Sequence, residues 1–253
     1  MNKLFLLDAY SLIYRAYYGL SRTPRINSKG MNTGAIFGFV NMLHEIISKG
    51  GATHLAVAFD HGKTFRHEAY PPYKAQRQET PEDIKKAVPY IKSILEAWHI
   101  PVLQADGYEA DDVIGAVATA MSKLTGADIA ACETGMGQQT ADEKAENSVG
   151  DNKNVGQNET EKVSEDKQDG TDGMQKDAVS SAVETYMVTQ DKDYGQLVKP
   201  NVFIYKPHQH GGGYDVIGVK EVCQQFQVER PEQVADFLAL KGDSADNFPG
   251  CPG

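Results

Sequence analysis

The sequence predicts an α/β fold in which helices flank a central, mostly parallel sheet. Short apolar segments that are typical of buried strands alternate with amphipathic helical segments along the 253 residues. Three of these strand segments are also closed by acids, which are Asp8, Asp60 and the pair Asp191 and Asp193. Because functional groups collect at the carboxyl ends of parallel strands, we expect these acids to meet at one edge of the sheet.

Each element follows from its local pattern of apolar residues, glycines and prolines. In the first half the patterns predict a strand at 3–10, a helix at 11–20, a helix within 30–50, a strand at 54–60, a helix at 83–100 with Trp98 in the core, a strand at 101–106 and a helix beginning within 106–121. In the second half they predict a strand at 185–198, a strand at 201–207 and a helix with a following Gly/Asp/Pro-rich turn within 230–253.

The composition narrows the class of protein. A 40% share of apolar residues suffices for a sizeable core, and no apolar run reaches the roughly 18 residues of a membrane span. The N-terminus lacks the pattern of a cleaved signal peptide. Cys132, Cys223 and Cys251 form no CxxC motif, which suits a reducing compartment. We therefore expect a cytoplasmic protein with no membrane contact.

Residues 133–184 differ in composition from the rest of the chain. They hold 13 acids and 5 lysines and almost no large apolar residues. A segment of this kind buries too little apolar surface to offset the entropy lost on ordering. The sequence predicts a low-complexity acidic insertion here, disordered or weakly ordered.

The stretch DGYEADD (106–112) gathers four acids, Asp106, Glu109, Asp111 and Asp112, and contains no cation. Such charges need protons or bound cations for compensation, and a set of oxygen ligands without His or Cys favours Mg²⁺ or Mn²⁺. Two such ions can activate water and stabilise the leaving oxygen of a phosphodiester. Acids also cap helix N-termini, which is the reading we favour for Asp106. For the other three we favour metal binding, because acids recur at the other strand ends.

Seven motifs in order identify a known family. They are LLDAYSLIYRAYYGL, GAIFGF, VAFD, FRHEAYPPYKAQR, GYEADD, TQDKD and LKGDSADNFPG. Together they closely resemble the 5′-nuclease domain of bacterial DNA polymerase I, which belongs to the flap endonuclease family. The resemblance runs from residue 3 to residue 253, except for the insertion.

The resemblance implies a PIN-like 5′-nuclease fold with a helical arch over the active site. It divides the chain into a catalytic core at 1–198, with the arch at 61–88 and the insertion at 133–184, and a C-terminal part at 199–253. That part carries an incomplete helix–turn–helix (helix-hairpin-helix-like) element that binds duplex DNA in the family. Because no polymerase segment is present, we expect either a fragment of a longer protein, with its polymerase domain as a possible partner, or the product of a truncated gene.

The resemblance also implies two metal sites for Mg²⁺ or Mn²⁺. The first-metal group is Asp8, Asp60, Glu109 and Asp111, and the second is Asp191, Asp193 and Asp246. Asp112 and Asp243 match additional acids that act through water or as alternative ligands. The expected catalytic set is Asp8, Asp60, Glu109, Asp111, Asp112, Asp191 and Asp193 with Arg15 and Lys74.

The expected DNA contacts follow from the same resemblance. Lys74 and Arg77 match residues that hold the displaced 5′ strand, and Tyr73 is placed to stack on a base. Arg15 and Arg66 match phosphate-contacting cations. The set is completed by Gly34, at a helix entry whose amides suit a phosphate, and by Gly250. Of the net charge of −10, the insertion accounts for −8 and the nine site acids for −9, which leaves +7 for the remaining body, as suits phosphate binding.

These features predict a metal-dependent 5′-3′ exonuclease and flap endonuclease acting on 5′ ends, flaps and nicks of duplex DNA during primer removal and repair. Two alternatives stay open at this point. One is a branched-DNA-binding fragment with weak or no activity, because the duplex-binding element is incomplete. The other is a PIN-type ribonuclease, against which the arch motif and GDSADNFPG argue.

Overall fold

The computed structural model describes residues 2–124, 183–208 and 213–252. Only Val183 and Glu184 of the acidic insertion fall within these ranges, at the start of a strand. The expected disorder of the insertion otherwise concerns residues outside the described part. Within the described part, no helix is both long and apolar enough to cross a membrane.

The described residues form a six-stranded sheet. Its strands are β1 (Asn2–Asp8), β2 (His54–Ala58), β3 (Val102–Leu103), β4 (Val183–Val188), β5 (Val202–Pro207) and β6 (Tyr214–Ile217). Their order is β3-β2-β1-β4-β5-β6, and every neighbouring pair is parallel except β5 with β6. This confirms the mostly parallel sheet, although β6 was not predicted. The expected boundary at 198 between the catalytic core and the C-terminal part lies between β4 and β5, which are paired neighbours in this sheet.

The helices connect and cover these strands. They are α1 (Ala9–Gly19), α2 (Gly34–Lys49), α3 (Phe65–Ala69), α4 (Glu82–Ala97), α5 (Ala110–Met121), α6 (Val219–Phe226) and α7 (Gln233–Lys241). The predicted strand at 185–198 is wrong beyond Val188, because a 3₁₀ helix occupies Lys192–Leu197. Asp191 begins that helix, since its side chain accepts a hydrogen bond from the Asp193 amide at 3.0 Å.

Both faces of the sheet are buried under helices. Alternate residues of β1 point to opposite sides of the sheet, so they pack in two separate cores. Phe5 and Leu7 pack on one side with α1, α2 and α4, whereas Leu6 packs on the other with α5, α6 and α7. A near-continuous apolar strand is what burial on both faces requires. The prediction that Trp98 belongs to the core is wrong, because this side chain ends α4 with 43% of its surface exposed.

The arch and the C-terminal element are only partly helical. Within the region 61–88, α3 contributes five helical residues, turns follow, and α4 begins at Glu82. At the other end, α7 is followed by a loop that Asp243 and Phe248 close by pairing their backbones. A second helix of the expected duplex-binding element is absent from the described residues.

Helices α1 and α2 approach closely where Gly38 meets Ala16. A β-carbon built on Gly38 would lie 2.6 Å from the β-carbon of Ala16, closer than two carbon atoms can pack. Ala16 is buried in the core beneath α2 and has no room to move aside. The glycine is therefore required for this helix contact.

We expect Gly38→Ala to lower the free energy of unfolding by about 1–3 kcal/mol, because the added methyl group forces the two helices apart. Urea denaturation of the purified variant measures this change. Gly19→Ala is the matched control, since Gly19 also lies in a helix but has open space within 4 Å around an added β-carbon. Equal stability of Gly38→Ala and the unmodified protein would contradict the close contact.

Candidate active site

Acidic side chains from distant parts of the chain line one cavity of about 760 Å³ at the carboxyl edge of the sheet. These acids are Asp8, Asp60, Glu109, Asp111, Asp191, Asp193, Asp243 and Asp246. Strand order reverses direction between β1 and β4, and ligands of open α/β sheets bind at such a position. The structure thus brings together eight of the nine acids expected from the sequence. Their roles as metal ligands stay predictions.

Asp8 lies at the centre of this edge, at the end of β1 and the start of α1. Its carboxylate accepts hydrogen bonds from the Ser11 amide and the Thr189 hydroxyl, both at 3.2 Å. Burial, together with the nearby charges of Asp60 and Asp191, raises the pKa of Asp8 to about 7 despite these hydrogen bonds. Ionising Asp8 at neutral pH is therefore unfavourable unless a cation compensates.

The start of α5 carries the next group of acids. The Ala110 amide donates to Asp60 Oδ1 at 2.7 Å, which fastens the loop after β2 to the first turn of this helix. Glu109 is almost fully buried and accepts from the Tyr73 hydroxyl and from Lys74 Nζ, both at 2.8 Å. Burial and the repulsion from Glu109 and Asp112 raise the pKa of Asp111 to about 6.

The third group follows β4. Burial and the charges of Asp191 and Asp243 raise the pKa of Asp193 to about 6. Within the described residues, Asp193 Oδ1 is buried and has no hydrogen-bond partner. A buried carboxylate oxygen without a donor is costly, and a bound cation is the simplest partner that removes the cost.

Four cations from other elements pair with acids of the site, although the 106–112 stretch contains none. Lys74 Nζ lies 2.8 Å from Glu109 Oε2, Arg77 lies 2.6 Å from Asp246 and Lys192 lies 3.0 Å from Asp243. Of these three pairs, Lys74 with Glu109 is the most buried, so there the charge attraction is least screened.

Asp112 forms the fourth pair, with Arg66, through two short hydrogen bonds of 2.6 and 2.7 Å. Burial raises the pKa of Asp112, but the Arg66 guanidinium outweighs it and holds that pKa below its usual range. The pair faces a second cavity of about 430 Å³, which Asp111 and Asp193 also border. Asp112 is thus the one predicted acid outside the main cavity.

The donor set fits a hard divalent cation in its chemistry. All the acids supply oxygen, three of them have raised pKa values, and one buried oxygen has no donor. Yet no three acidic, His or Cys side chains among the described residues converge closely enough to hold an ion as they lie. Glu109, Asp243 and Asp246 are instead turned towards Lys74, Lys192 and Arg77.

Three residues expected to contact DNA lie away from the acidic cavity and make contacts within the protein, and their contacts with DNA stay predictions. Arg15 donates to the carbonyl of His208 and to Met42 Sδ, which ties α1 to the end of β5 and to α2. The Gly34 amide donates to Asn32 Oδ1 at 3.0 Å in the protein without DNA. The backbone of Gly250 packs directly against that of Gly242, where either would clash with an added side chain.

Sequence reasoning missed several residues that shape the site. Thr189 and Tyr194 are buried beside Asp8, the tyrosine hydroxyl standing 3.5 Å from its carboxylate. Ser11 links the same place to β4 by accepting from the Gln190 amide at 3.2 Å. Lys192 could have been suspected from its position between two acids, but uncharged side chains such as these give no signal in one sequence.

Comparison with known proteins places the chain in a family. The fold and cavity define an α/β protein with an acid-lined crevice at the carboxyl edge of its sheet. Residues 3–166 match the model of the 5′-3′ exonuclease, N-terminal resolvase-like domain family, and the chain belongs to this family. This confirms the resemblance drawn from the seven motifs.

Curated relatives cover the whole chain. It is 31% identical to a DNA polymerase I of Chloroflexus aurantiacus over 99% of its own length and 21% of that protein. It is 32% identical to a 5′-3′ exonuclease of Aquifex aeolicus over 100% of its own length and 66% of that protein. The chain thus spans about a fifth of the DNA polymerase I relative.

A solved structure confirms the fold class. The bacteriophage T5 flap endonuclease, in a pseudo-enzyme–product complex with DNA and metal ions, has a TM-score of 0.57 at 18% identity. The match covers 100% of this chain and 71% of that one. At this identity the likeness concerns the fold, with its sheet and flanking helices.

The raised pKa values predict how stability depends on pH in the metal-free protein. Between the unfolded value near 3.8 and the folded values of about 6 to 7, the folded state binds more protons than the unfolded state. The free energy of unfolding therefore falls as pH rises through this window. Asp8→Asn mimics the protonated acid, so in chelator at pH 7.5 this variant should melt at a higher temperature than the unmodified protein.

Differential scanning calorimetry in chelator at pH 5 and pH 7.5 makes the comparison. At pH 5 Asp8 is protonated in the folded state, so the gain from Asp8→Asn should shrink there. The Asp106→Asn variant serves as control, because Asp106 is exposed and lies outside the cavity. A lower melting temperature for Asp8→Asn at pH 7.5 would show that the ionised Asp8 carboxylate does not destabilise the folded protein.

Proposed function

We propose that this chain is a metal-dependent 5′-3′ exonuclease and structure-specific flap endonuclease. It hydrolyses phosphodiesters at 5′ ends, flaps and nicks of duplex DNA. The observation that carries the proposal is the cavity at the carboxyl edge of the sheet, lined by eight carboxylates and bordered by cations. Family membership supports the reaction class.

The resemblance to the family assigns the acids to two divalent ions, and the cavity contains all of the acids concerned. Asp8, Asp60, Glu109 and Asp111 belong to the first ion, and Asp191, Asp193 and Asp246 belong to the second. Mg²⁺ and Mn²⁺ are the preferred ions, because every donor is a hard oxygen. When bound, such ions supply activated water and charge stabilisation for phosphodiester hydrolysis. Metal ions in the T5 enzyme's crystals support a metal-dependent reaction.

The cations of the site have a double role in this proposal. Lys74 and Arg77 neutralise Glu109 and Asp246 in the absence of DNA. Since both border the cavity, they are placed to exchange these carboxylates for the phosphates of a 5′ strand. Tyr73 donates a hydrogen bond to Glu109 and thereby orients this carboxylate. When phosphates replace the carboxylates as partners of the cations, Tyr73 is released to stack on a base.

The wider setting of the reaction is also a proposal. Relatives named DNA polymerase I suggest that the chain acts beside a polymerase domain, in primer removal and repair in the cytoplasm. The T5 flap endonuclease complex contains DNA, which supports DNA as the substrate, and a branched duplex with a 5′ flap is the form that we propose. The net positive charge of the body outside the insertion and site acids suits such a partner.

A cleavage assay with one matched pair of variants tests the function. A labelled duplex with a 5′ flap is incubated with protein in Mg²⁺, in Mn²⁺ or in chelator. We expect cleavage only with metal, and Asp111→Asn should lower turnover by orders of magnitude while flap binding persists, because a ligand is lost but a repulsive charge near DNA is removed. Asp106→Asn changes the same functional group outside the cavity and should cut at the unmodified rate.

The rival functions give different results in the same assay. Tight flap binding without cleavage at any metal concentration indicates a branched-DNA-binding module. Preferential cleavage of single-stranded RNA indicates a PIN-type ribonuclease. Wild-type turnover by Asp111→Asn would refute the first-metal assignment.

A further inference from the structure

Two segments far apart in sequence are fastened together beside the acidic cavity. One is the arch segment, residues 70–77, and the other is the acidic loop, residues 243–248. Asn247 Nδ2 donates to the carbonyl of Pro72 at 2.8 Å, and Gln76 Nε2 donates to the carbonyl of Ser244 at 2.6 Å. We call this set of contacts the clasp.

Backbone and aromatic contacts reinforce the clasp. The Lys74 amide donates to the carbonyl of Asp246 at 3.1 Å, and the Tyr70 hydroxyl donates to the carbonyl of Asn247 at 3.3 Å. The rings of Tyr70 and Phe248 meet edge to face at 6.3 Å. The arch segment therefore has defined partners along most of its length, although it is not helical.

Unusual backbone conformations coincide with the clasp on both of its sides. Lys74 has φ +55° and Asn247 has φ +59°, and both residues carry side chains that disfavour this left-handed region, Lys more than Asn. Such conformations persist where surrounding contacts fix them, and they occur often at functional positions. Here the two residues belong to one set of contacts, which indicates that the clasp holds the backbone of Lys74 in place.

The position of Lys74 is what the clasp determines. From this backbone its ammonium group reaches Glu109 at 2.8 Å, deep in the cavity. Arg77, one turn further along, reaches Asp246 at 2.6 Å. Without the clasp the segment would lose the contacts that direct both cations towards the acids.

We propose that Gln76 and Asn247 are positioning residues for the reaction. Their amide groups hold the arch segment on the acidic loop, so that Lys74 and Arg77 stand over the acids where a 5′ strand is cut. The inference rests on the nuclease function proposed above. It assigns roles to two uncharged side chains that form no hydrogen bond with an acidic side chain among the described residues, and it joins the arch to the C-terminal element as one unit.

Two variants remove the clasp contacts with little other change. Asn247→Gly deletes the bond to Pro72 while keeping a residue that adopts positive φ freely. Gln76→Met keeps the length of an exposed side chain but cannot donate to Ser244. Ser244→Ala is the matched control, because the Ser244 hydroxyl has no hydrogen-bond partner among the described residues and its carbonyl is retained.

Hydrogen exchange on the protein without DNA or metal tests the clasp itself. Asn247→Gly should speed amide exchange in 70–77, and Gln76→Met should speed it in 243–248, each by roughly 3- to 10-fold, as expected for loss of one hydrogen bond. The Ser244→Ala variant should exchange like the unmodified protein. The proposal would be overturned if Asn247→Gly left amide exchange in 70–77 unchanged and Gln76→Met left it unchanged in 243–248.

Single-turnover cleavage of the flap duplex tests the positioning role. Each clasp variant should cut about 10-fold more slowly while its dissociation constant for the flap stays within about 2-fold, because the charges remain but their placement is lost. Wild-type cleavage rates in variants with accelerated exchange would overturn the positioning role. Failure of the unmodified protein to cut any DNA would instead refute the nuclease function, and the exchange results, which need no DNA, keep the two failures distinguishable.

Discussion

The burial of several carboxylates close together at one edge of a parallel sheet is the constraint on which this structure depends. Parallel strands deliver their ends to the same edge, and the chain places an acid after β1, β2 and β4 and three more at the start of α5. Burial in this cavity is the main reason that the pKa values of Asp8, Asp111 and Asp193 are raised, and repulsion from neighbouring carboxylates raises them further, so ionising these acids is costly. The cost is tolerated because apolar cores on both faces of the sheet hold the strand ends in place.

Much of this arrangement was predictable from the sequence, because strong local patterns encode it. Buried strands are apolar without interruption and end in acids, so the parallel sheet and the meeting of Asp8, Asp60 and Asp191 follow from pattern and topology. The start of α5 was equally predictable from the sequence, since Glu109 and Asp111 stand at the beginning of an amphipathic helical pattern. Repeated acids at strand ends are difficult to explain by capping alone.

Most of what the sequence did not predict depends on contacts between distant residues. The 3₁₀ helix after β4 is the local exception, and it replaces the expected strand because Asp191 caps its own following turn. Arg15 matched a phosphate contact by position, yet its guanidinium is used by the carbonyl of His208, nearly 200 residues away in the chain. No pattern in the sequence reveals that Lys74 pairs with Glu109 or that Asn247 binds Pro72, since these pairs arise only after the sheet is assembled.

The acids of the site and the cations Lys74 and Arg77 are held by different kinds of structure. Most of the acids stand at ends of buried strands or at the first turn of a helix, where packing fixes them. Lys74 and Arg77 extend from a non-helical segment that is held mainly by hydrogen bonds to another loop. Because the long side chains of Lys74 and Arg77 can rotate about their own bonds, their salt bridges can exchange partners without disturbing the cores or the clasp. In the proposed nuclease, the fold therefore keeps its acids in position while Lys74 and Arg77 exchange their carboxylates for a phosphate.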